Sequence, residues 1–226
     1  MLILAADTSG KHGSIALARC GPDESCHILE VVLLAGGTFS AQLVPQIAAL
    51  MGKHGFGKQD IGGFAVVSGP GSFTGLRVGL AAIKALAEVL AKPIAAVSLL
   101  EAVALSSGGQ GRVLAALDAG RAEVYIGEYE VEGAAAQLVS QRLVSRSECV
   151  LAAAAGACLV VTPDPGLAEA ARGASVRVEQ VELPQADIIA RLGWRKIQAG
   201  QTVAPGELDA NYIRRSDAEI FSKASS

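Results

Sequence analysis

Short apolar runs separated by turn residues fill the first part of the chain and predict three consecutive strands. A continuous apolar run covers Leu2 to Ala6, which is typical of a strand buried on both faces. It ends at the turn Asp7 to Gly10, and residues 14–18 and 28–34 follow as the second and third predicted strands. The loop 21–25 joins those two strands, so the pattern indicates a meander.

Helical spacing replaces this pattern further along the chain. Apolar residues recur along one stripe from Ser40 to His54 and predict a helix. A second and longer helical run follows an apolar strand at Phe64 to Val67. A short strand at Pro93 to Val97 then precedes a helix that ends near Leu105. Two strands each followed by a helix therefore complete the first part of the predicted fold.

A glycine-rich turn joins the apolar strand to the longer helix, with the sequence Gly-Pro-Gly-Ser-Phe-Thr-Gly at residues 69–75. Its backbone N–H groups, the hydroxyls of Ser72 and Thr74 and the positive end of the helix would suit a phosphate or another anion. A P-loop would need a Lys-Ser or Lys-Thr pair, and the dinucleotide fingerprint would need glycines one residue closer together. A structural strand-to-helix turn is the favoured alternative from the residues alone.

The segment Val113 to Gly120 repeats the opening of the chain, with an apolar strand, an Asp and a Gly-containing turn. A further strand follows the turn in both places, which predicts a duplicated βββαβα unit. The Ser/Gly-rich linker 106–111 is the predicted boundary between the two lobes. The second lobe is alanine-rich, and its pattern predicts short strands near residues 159–161 and 176–178 and a helix at 186–198.

Composition and charge narrow the classes of protein that are compatible with these elements. The 226 residues are 51% hydrophobic with a mean hydropathy of +0.41, so a folded core is expected. A net charge of −3 and a pI near 5.7 argue against a protein that binds nucleic acid by itself, although Arg214-Arg215 would suit an RNA contact within a complex. No apolar run reaches membrane-spanning length and no basic leader is present, so a cytoplasmic location is expected.

Residues that catalyse reactions or bind metals are sparse. The four cysteines form no C-x-x-C pair, and the Cys20, Cys26 and His27 cluster lacks the second half of a zinc site. All four cysteines are therefore expected to be free thiols. No histidine stands at an arguable spacing from Ser68 or Ser72, so we predict neither catalytic nor metal-binding residues.

The motif Gly-Pro-Gly-Ser-Phe-Thr-Gly-Leu-Arg-Val-Gly at residues 69–79 resembles the signature of the bacterial TsaB family, also called YeaZ. The opening strand at 4–9, residues 97–101, the Asp-containing segment at 117–125 and the tail 212–215 also resemble this family. The chain departs from the family in two places. It has Phe39-Ser40-Ala41 where many members have His-Ser-Glu, and Gly120 is inserted before Arg121.

The resemblance implies an α/β fold of the actin/Hsp70/sugar-kinase (ASKHA) type, with an N-terminal lobe at 1–106 and a smaller, degenerate lobe at 107–226. It also implies a non-catalytic subunit that works with a TsaD-like catalytic subunit and a TsaE-like ATPase. That machinery transfers a threonylcarbamoyl group to an adenosine in the tRNA anticodon loop, so contact with tRNA is expected through the complex. The His-x-x-x-His metal pair of the catalytic subunit is absent, because His12, His27 and His54 are never four residues apart.

The resemblance further implies two sets of site residues. A phosphate contact, for ATP or ADP in the complex, is expected at Asp7, Gly69, Gly71, Ser72 and Thr74. The interface with the partner subunit, or with a second copy of the chain, is expected at Leu43, Ile47, Leu50, Leu76, Gly79, Leu80 and Ile83. The small residues Gly75, Gly79 and Ala82 permit close helix packing, either within the chain or against a partner. An ATP-dependent small-molecule kinase of the same fold is the alternative function, and a glycoprotease-like peptidase is the third.

Overall fold

The computed structural model describes residues 1–23, 25–35 and 39–213, and these residues form ten β-strands and six α-helices. In chain order they are β1 (Leu2–Asp7), β2 (Gly13–Cys20), β3 (Cys26–Leu34), α1 (Phe39–Lys53), β4 (Ile61–Gly69), α2 (Phe73–Leu90), β5 (Ile94–Ser98), α3 (Leu99–Leu105), β6 (Gly111–Gly120), β7 (Glu123–Glu132), β8 (Ala135–Ser145), α4 (Arg146–Gly156), β9 (Leu159–Thr162), α5 (Pro165–Gly173), β10 (Val178–Gln180) and α6 (Ala186–Gln198). The predicted contacts of Arg214-Arg215 lie outside the described residues.

The first sheet has five strands in the order β3-β2-β1-β4-β5. Strand β1 pairs antiparallel with β2 and parallel with β4, so it lies in the middle of the sheet. All six β1 side chains are buried, as its unbroken apolar run predicts. A strand buried on both faces needs a packed layer on each of them, and the helices of this unit supply both layers.

The second sheet has the order β10-β9-β6-β7-β8, which is the same topology when counted from its own first strand. Strand β6 takes the place of β1, with an antiparallel neighbour β7 and a parallel neighbour β9. The predicted duplication and the mixed α/β fold class are therefore confirmed. The sequence analysis missed α4 and α5 because alanine gives a weak periodic signal, and it missed β8 because the apolar residues of that strand do not alternate cleanly.

The chain divides into two compact units. The first comprises Met1–Ala102 together with Pro184–Ala210, and the second comprises Val103–Leu183 followed by the residues from Asn211. The division in α3 lies a few residues before the predicted boundary at 106/107. The segment Pro184–Ala210 was assigned by sequence to the second lobe, and the structure corrects this assignment.

The reason for the correction is the packing of α6 on the first sheet. Helix α6 lies against all five strands of that sheet and covers one face. Gly193 brings the helix backbone close to the side chain of Ala65, so the contact depends on two small residues. Helices α1 and α2 pack against each other and supply the other layer.

The second unit has a smaller core of its own. Its fully buried cluster joins strands β6, β7 and β9 to helices α4 and α5, with Leu114, Ile126, Cys149, Val160 and Leu167 among its members. Among the helices of the described ranges, none is both long and apolar enough to span a membrane.

Candidate functional site

The turn after β1 lies directly beneath the beginning of α2. Asp7, Thr8 and Ser9 are all buried, although each carries a polar side chain. The Thr8 hydroxyl donates to the carbonyl oxygen of Gly75 at 2.7 Å, and the N–H of Ser72 donates to the carbonyl oxygen of Ser9 at 2.6 Å. These two hydrogen bonds attach the end of β1 to the first turns of α2.

Glycine is required at three positions of this contact. A Cβ at Gly71 would lie 2.5 Å from the carbonyl oxygen of Ser9, and a Cβ at Gly75 would overlap the carbonyl oxygen of Thr8. A Cβ at Gly79 would overlap the Thr8 hydroxyl. The glycines of the motif therefore allow the helix to approach the β1 turn within one unit, as the structural alternative predicts.

The Asp7 carboxylate is held within this buried turn. Its Oδ1 accepts hydrogen bonds from the N–H of Ser9 at 2.8 Å and from the Ser9 hydroxyl at 2.6 Å. Burial raises the pKa of Asp7, and the two hydrogen bonds from Ser9 oppose that rise only in part. Asp7 is 4% exposed, so in this conformation it does not present its charge to a ligand in solvent.

The five residues of the predicted phosphate contact lie at adjacent strand ends, because β1 and β4 are parallel neighbours. Several of their polar groups already have internal partners. The Ser72 hydroxyl accepts from the N–H of Gly75 at 3.3 Å and so caps α2, while the Ser72 N–H is used by Ser9. Gly69 is buried and its φ of 131° is one that favours glycine. The Ser72 hydroxyl and N–H are thus engaged within the turn, and Ser72 and Thr74 are the predicted residues at exposed positions.

The predicted interface residues are buried within the first unit, although Leu43 also lines the groove described below. Leu43, Ile47 and Leu50 of α1 are buried, and so are Leu76, Gly79, Leu80 and Ile83 of α2. Their helical spacing identifies the stripe that packs inside the first unit, and Ile83 is completely inaccessible to solvent. The same helices therefore present other residues to solvent.

The exposed side of α1 and α2 forms a shallow groove with a volume of about 470 Å³. Its lining consists of Ser40, Leu43, Val44, Phe73, Thr74, Arg77, Val78, Ala81 and Ala82. Val44 is 52% exposed and Phe73 is also exposed, so the lining forms a contiguous apolar patch at the surface, which is typical of an interaction site. Ala82 of the predicted small-residue seam faces this groove, while Gly75 and Gly79 face Thr8.

Arg77 is the charged residue in the lining of the groove. Its guanidinium carbon lies 3.7 Å from the centroid of the Phe73 ring, a stacked cation–π geometry. The sequence analysis missed Val44, Phe73, Arg77 and Ala81 as surface residues. The signal was available, because they occupy the helical positions between those of the buried stripe.

Asp118, which corresponds to Asp7 in the second unit, has a different environment. The side chain of Asp118 is 49% exposed and its Oδ1 lies 3.1 Å from Nη2 of Arg146. The same nitrogen lies 2.7 Å from Oδ2 of Asp164, whose Oδ1 caps α5. In the described part of the chain, no three His, Cys, Asp or Glu side chains are grouped so that they would hold a metal ion.

Comparison with known proteins adds three findings. A sequence profile of the family described as "TsaD: tRNA N6-adenosine threonylcarbamoyltransferase" matches residues 34–186. The chain is 37% identical over 131 residues to the tRNA threonylcarbamoyladenosine biosynthesis protein TsaB of Bacillus subtilis, covering 58% of this chain and 56% of that protein. It is similar in structure to YeaZ from Pseudomonas aeruginosa, with a TM-score of 0.76 and 25% identity, over 93% of this chain and 99% of that one.

A tRNA N6-adenosine threonylcarbamoyltransferase from Erythrobacter litoralis is 38% identical over 74 residues, which is 33% of this chain and 22% of that protein. The aligned part of the chain spans little more than half the length of three curated TsaB relatives, including that of Bacillus subtilis.

Proposed function

The chain belongs to the family described as TsaD, tRNA N6-adenosine threonylcarbamoyltransferase, and to the TsaB/YeaZ members of that family, and from this membership we propose that it is a non-catalytic partner subunit in the formation of threonylcarbamoyladenosine on tRNA. Its proposed partner is a TsaD-type catalytic subunit, with a TsaE-type ATPase in the same assembly. The likeness to TsaB of Bacillus subtilis over 58% of the chain and to YeaZ over 93% of it supports this proposal.

The observation that carries the proposal is the exposed face of α1 and α2. Helix α1 has 15 residues, and Lys53 in its last turn is its charged residue. Its solvent side carries Ala41, Val44, Pro45, Ala48 and Ala49 beside the uncharged polar residues Ser40 and Gln46, so it is less charged than the solvent side of most surface helices. A face of this kind gains stability when another protein covers it.

The proposed mechanism is docking. In it the partner subunit packs on α1 and α2 across Val44, Phe73 and Ala81, and the small alanine side chains let its backbone approach closely. The partner carries the reacting groups, while this chain holds the partner in its active conformation. The net charge of −3 agrees with a subunit that contacts tRNA through the assembly rather than alone.

A pair of matched aspartate substitutions tests the docking face. Val44→Asp places a charge on the groove, and Leu151→Asp places one on α4 of the second unit, where Leu151 is 68% exposed. Both variants are expected to fold, because both side chains already face solvent. Val44→Asp should abolish co-purification with a TsaD-type subunit and tRNA threonylcarbamoylation in the reconstituted system, and Leu151→Asp should preserve both. Unchanged co-purification of Val44→Asp would exclude this face.

A nucleotide contact near the N-terminus of α2 that forms within the assembly, and not in the isolated chain, is the second part of the proposal, with Thr74 of the groove as the contact residue. Calorimetry of the isolated chain with ATP separates the partner subunit from a small-molecule kinase. Absent or weak binding by the isolated chain supports the partner subunit. Micromolar binding with turnover of a hydroxylated substrate would support the kinase.

A second copy of the chain is an alternative occupant of the same face. Light scattering of the isolated chain and of its mixture with a TsaD-type subunit distinguishes the two assemblies. Under the proposal, a dimer of the isolated chain is disrupted by Val44→Asp and is displaced when the TsaD-type subunit is added. A dimer that persists in the mixture would contradict the proposed partnership.

A further inference from the structure

Among the described residues that line the groove between α1 and α2, Arg77 is the charged one. Its guanidinium carbon lies 3.7 Å from the centroid of the Phe73 ring, and both residues lie at exposed positions. The following inference rests on the proposed docking of a partner subunit in this groove. We propose that Arg77 determines the specificity of that docking, by forming a charge-assisted hydrogen-bonded pair with a carboxylate of the partner.

The Phe73 ring fixes how Arg77 presents its N–H groups. The two residues are four positions apart on α2, so their side chains lie on the same side of the helix. The ring covers one face of the guanidinium, and the N–H bonds lie in the guanidinium plane rather than towards the ring. Stacking also restricts a long side chain before binding, so less conformational entropy is lost on docking. Arg77 is therefore pre-organised for a planar acceptor with two oxygens.

Docking in the groove removes Arg77 from water. The apolar residues around it, such as Val44, Val78 and Ala81, gain stability when an apolar surface covers them. The guanidinium keeps its charge at every physiological pH. A charge that loses its water without gaining an opposite charge is strongly unfavourable. A partner that covers this groove must therefore supply an acceptor at Arg77.

The groove does not provide the opposite charge itself. Ser40 and Thr74 are the uncharged polar residues of its described lining. The first turns of α1 and α2 contain no acidic residue. A carboxylate on the partner compensates the charge and accepts two parallel hydrogen bonds from one guanidinium, whereas a neutral acceptor does neither as well.

This pair makes the docking face selective. Val44 and Phe73 would accept many apolar surfaces, because apolar contact is not directional. Arg77 excludes a surface that is apolar at its position, which would leave the guanidinium unpaired, and a surface with Lys or Arg there, which would repel it. The apolar residues thus provide affinity, and Arg77 selects the partner.

Arg77→Met tests the pair, because methionine keeps an unbranched apolar side chain in the groove and removes the charge. The dissociation constant for a TsaD-type subunit, measured by surface plasmon resonance, should rise about 30-fold or more, since the partner carboxylate is left buried and unpaired. The increase should lie in faster dissociation rather than slower association. Arg77→Lys keeps the charge but loses the planar fork, and its dissociation constant should rise about 10-fold.

Arg172→Met is the matched control. Arg172 lies at an exposed position in the last turn of α5, in the second unit, so the substitution is the same and the groove is untouched. Its dissociation constant should stay within about threefold of wild type. Both methionine variants are expected to fold, because both arginines lie at exposed positions.

Charge reversal identifies the acceptor. Arg77→Glu should weaken binding about 100-fold or more, because two carboxylates then face each other. Each Asp and Glu of the partner subunit is replaced by Arg in turn, and the replacement of the paired carboxylate should restore binding to Arg77→Glu and weaken binding to wild type. Absence of any such compensating replacement would overturn the proposal.

The remaining outcomes separate this inference from the proposed function. Loss of binding in Val44→Asp together with wild-type affinity in Arg77→Met would overturn the role of Arg77 and leave the docking face in place. A wild-type chain that does not bind a TsaD-type subunit would overturn both. If Arg77→Met does not fold, Arg77→Lys decides the question, and wild-type affinity in that variant would overturn the proposal.

Discussion

The two units share one topology but close the turn after their first strand in different ways. In the first unit Asp7 is buried, bonded to Ser9 and covered by the glycine-rich start of α2. In the second unit Asp118 is half exposed and pairs with Arg146. Close backbone packing stabilises one turn, and a partly solvated ion pair stabilises the other. The repeated Asp therefore marks a common architecture and not a common chemical role.

The helices that follow the fourth strand of each unit also differ, in their length and in their cap. Helix α2 has 18 residues and begins with a serine cap, while α5 has 9 residues and begins with an aspartate cap. The outer side of the longer helix lines the exposed groove together with α1. The first unit thus combines a tightly packed interior with an exposed apolar surface.

The largest expected effect separates a core position of the first unit from an exposed position of the second unit. Ile83→Asp should prevent the first unit from folding, or cost more than about 4 kcal/mol, because it places an unpaired carboxylate in the core. Leu151→Asp, at an exposed position of the second unit, should change the free energy of unfolding by less than about 0.5 kcal/mol. Urea unfolding measures both. A folded Ile83→Asp protein that loses only its partner would restore the original interface assignment.

Glycine packing gives the next largest difference. Gly75→Ala should cost about 2–4 kcal/mol, because the new Cβ would overlap the Thr8 carbonyl oxygen. Gly173→Ala in α5 is the matched control, since a Cβ there meets nothing within 4 Å. The control should be neutral or stabilising by up to about 1 kcal/mol. Hydrogen exchange measured separately for the two units shows which of them loses stability. Equal losses for Gly75→Ala and Gly173→Ala would contradict the tighter glycine packing assigned to the first unit.

For the helix caps, the larger loss of stability is expected in the second unit and the smaller loss in the first. Asp164→Ala should cost about 1–2 kcal/mol, because Asp164 accepts from the N–H groups of Gly166 and Leu167 and also pairs with Arg146. Ser72→Ala removes one longer hydrogen bond from Gly75 and should cost about 0.5–1 kcal/mol. Thermal unfolding of the two variants gives the comparison. A larger loss at Ser72 would mean that its side chain does more than cap α2.

Much of the fold could be predicted from the sequence. Helix α6 was predicted at its observed bounds, and the central strands were found because continuous apolar runs mark buried parallel strands. The position of α6 on the first sheet was not predictable, since an amphipathic pattern shows that a helix packs but not on which sheet. Strand β8 was missed because it is an edge strand with exposed Leu138 and Val139 and no clean alternation.

The site was less predictable, and for a physical reason. Periodicity identifies residues that face an apolar neighbour, and it is silent on whether that neighbour belongs to the same chain. Leu80 and Ile83 were therefore assigned to a partner although they pack in their own unit. The β1 turn beneath Gly75 was also hidden, because Thr8 and Gly75 are 67 residues apart. Local sequence does not reveal such a long-range approach.

The smallest expected effect, and the one that bears most on function, concerns the two aspartates. Because burial raises the pKa of Asp7, its contribution to stability is complete below the ordinary aspartate pKa and is lost as pH rises through the raised value. Asp7→Asn keeps an acceptor for Ser9 and cannot ionise, so it should be more stable than wild type at neutral pH and should lose that advantage in acid. Asp118→Asn should cost less than about 0.5 kcal/mol, as for an exposed ion pair. Thermal unfolding from pH 3 to pH 8 measures both. A loss of stability at neutral pH in Asp7→Asn would mean that the ionised carboxylate is the stabilised form, as for a group that holds a cation.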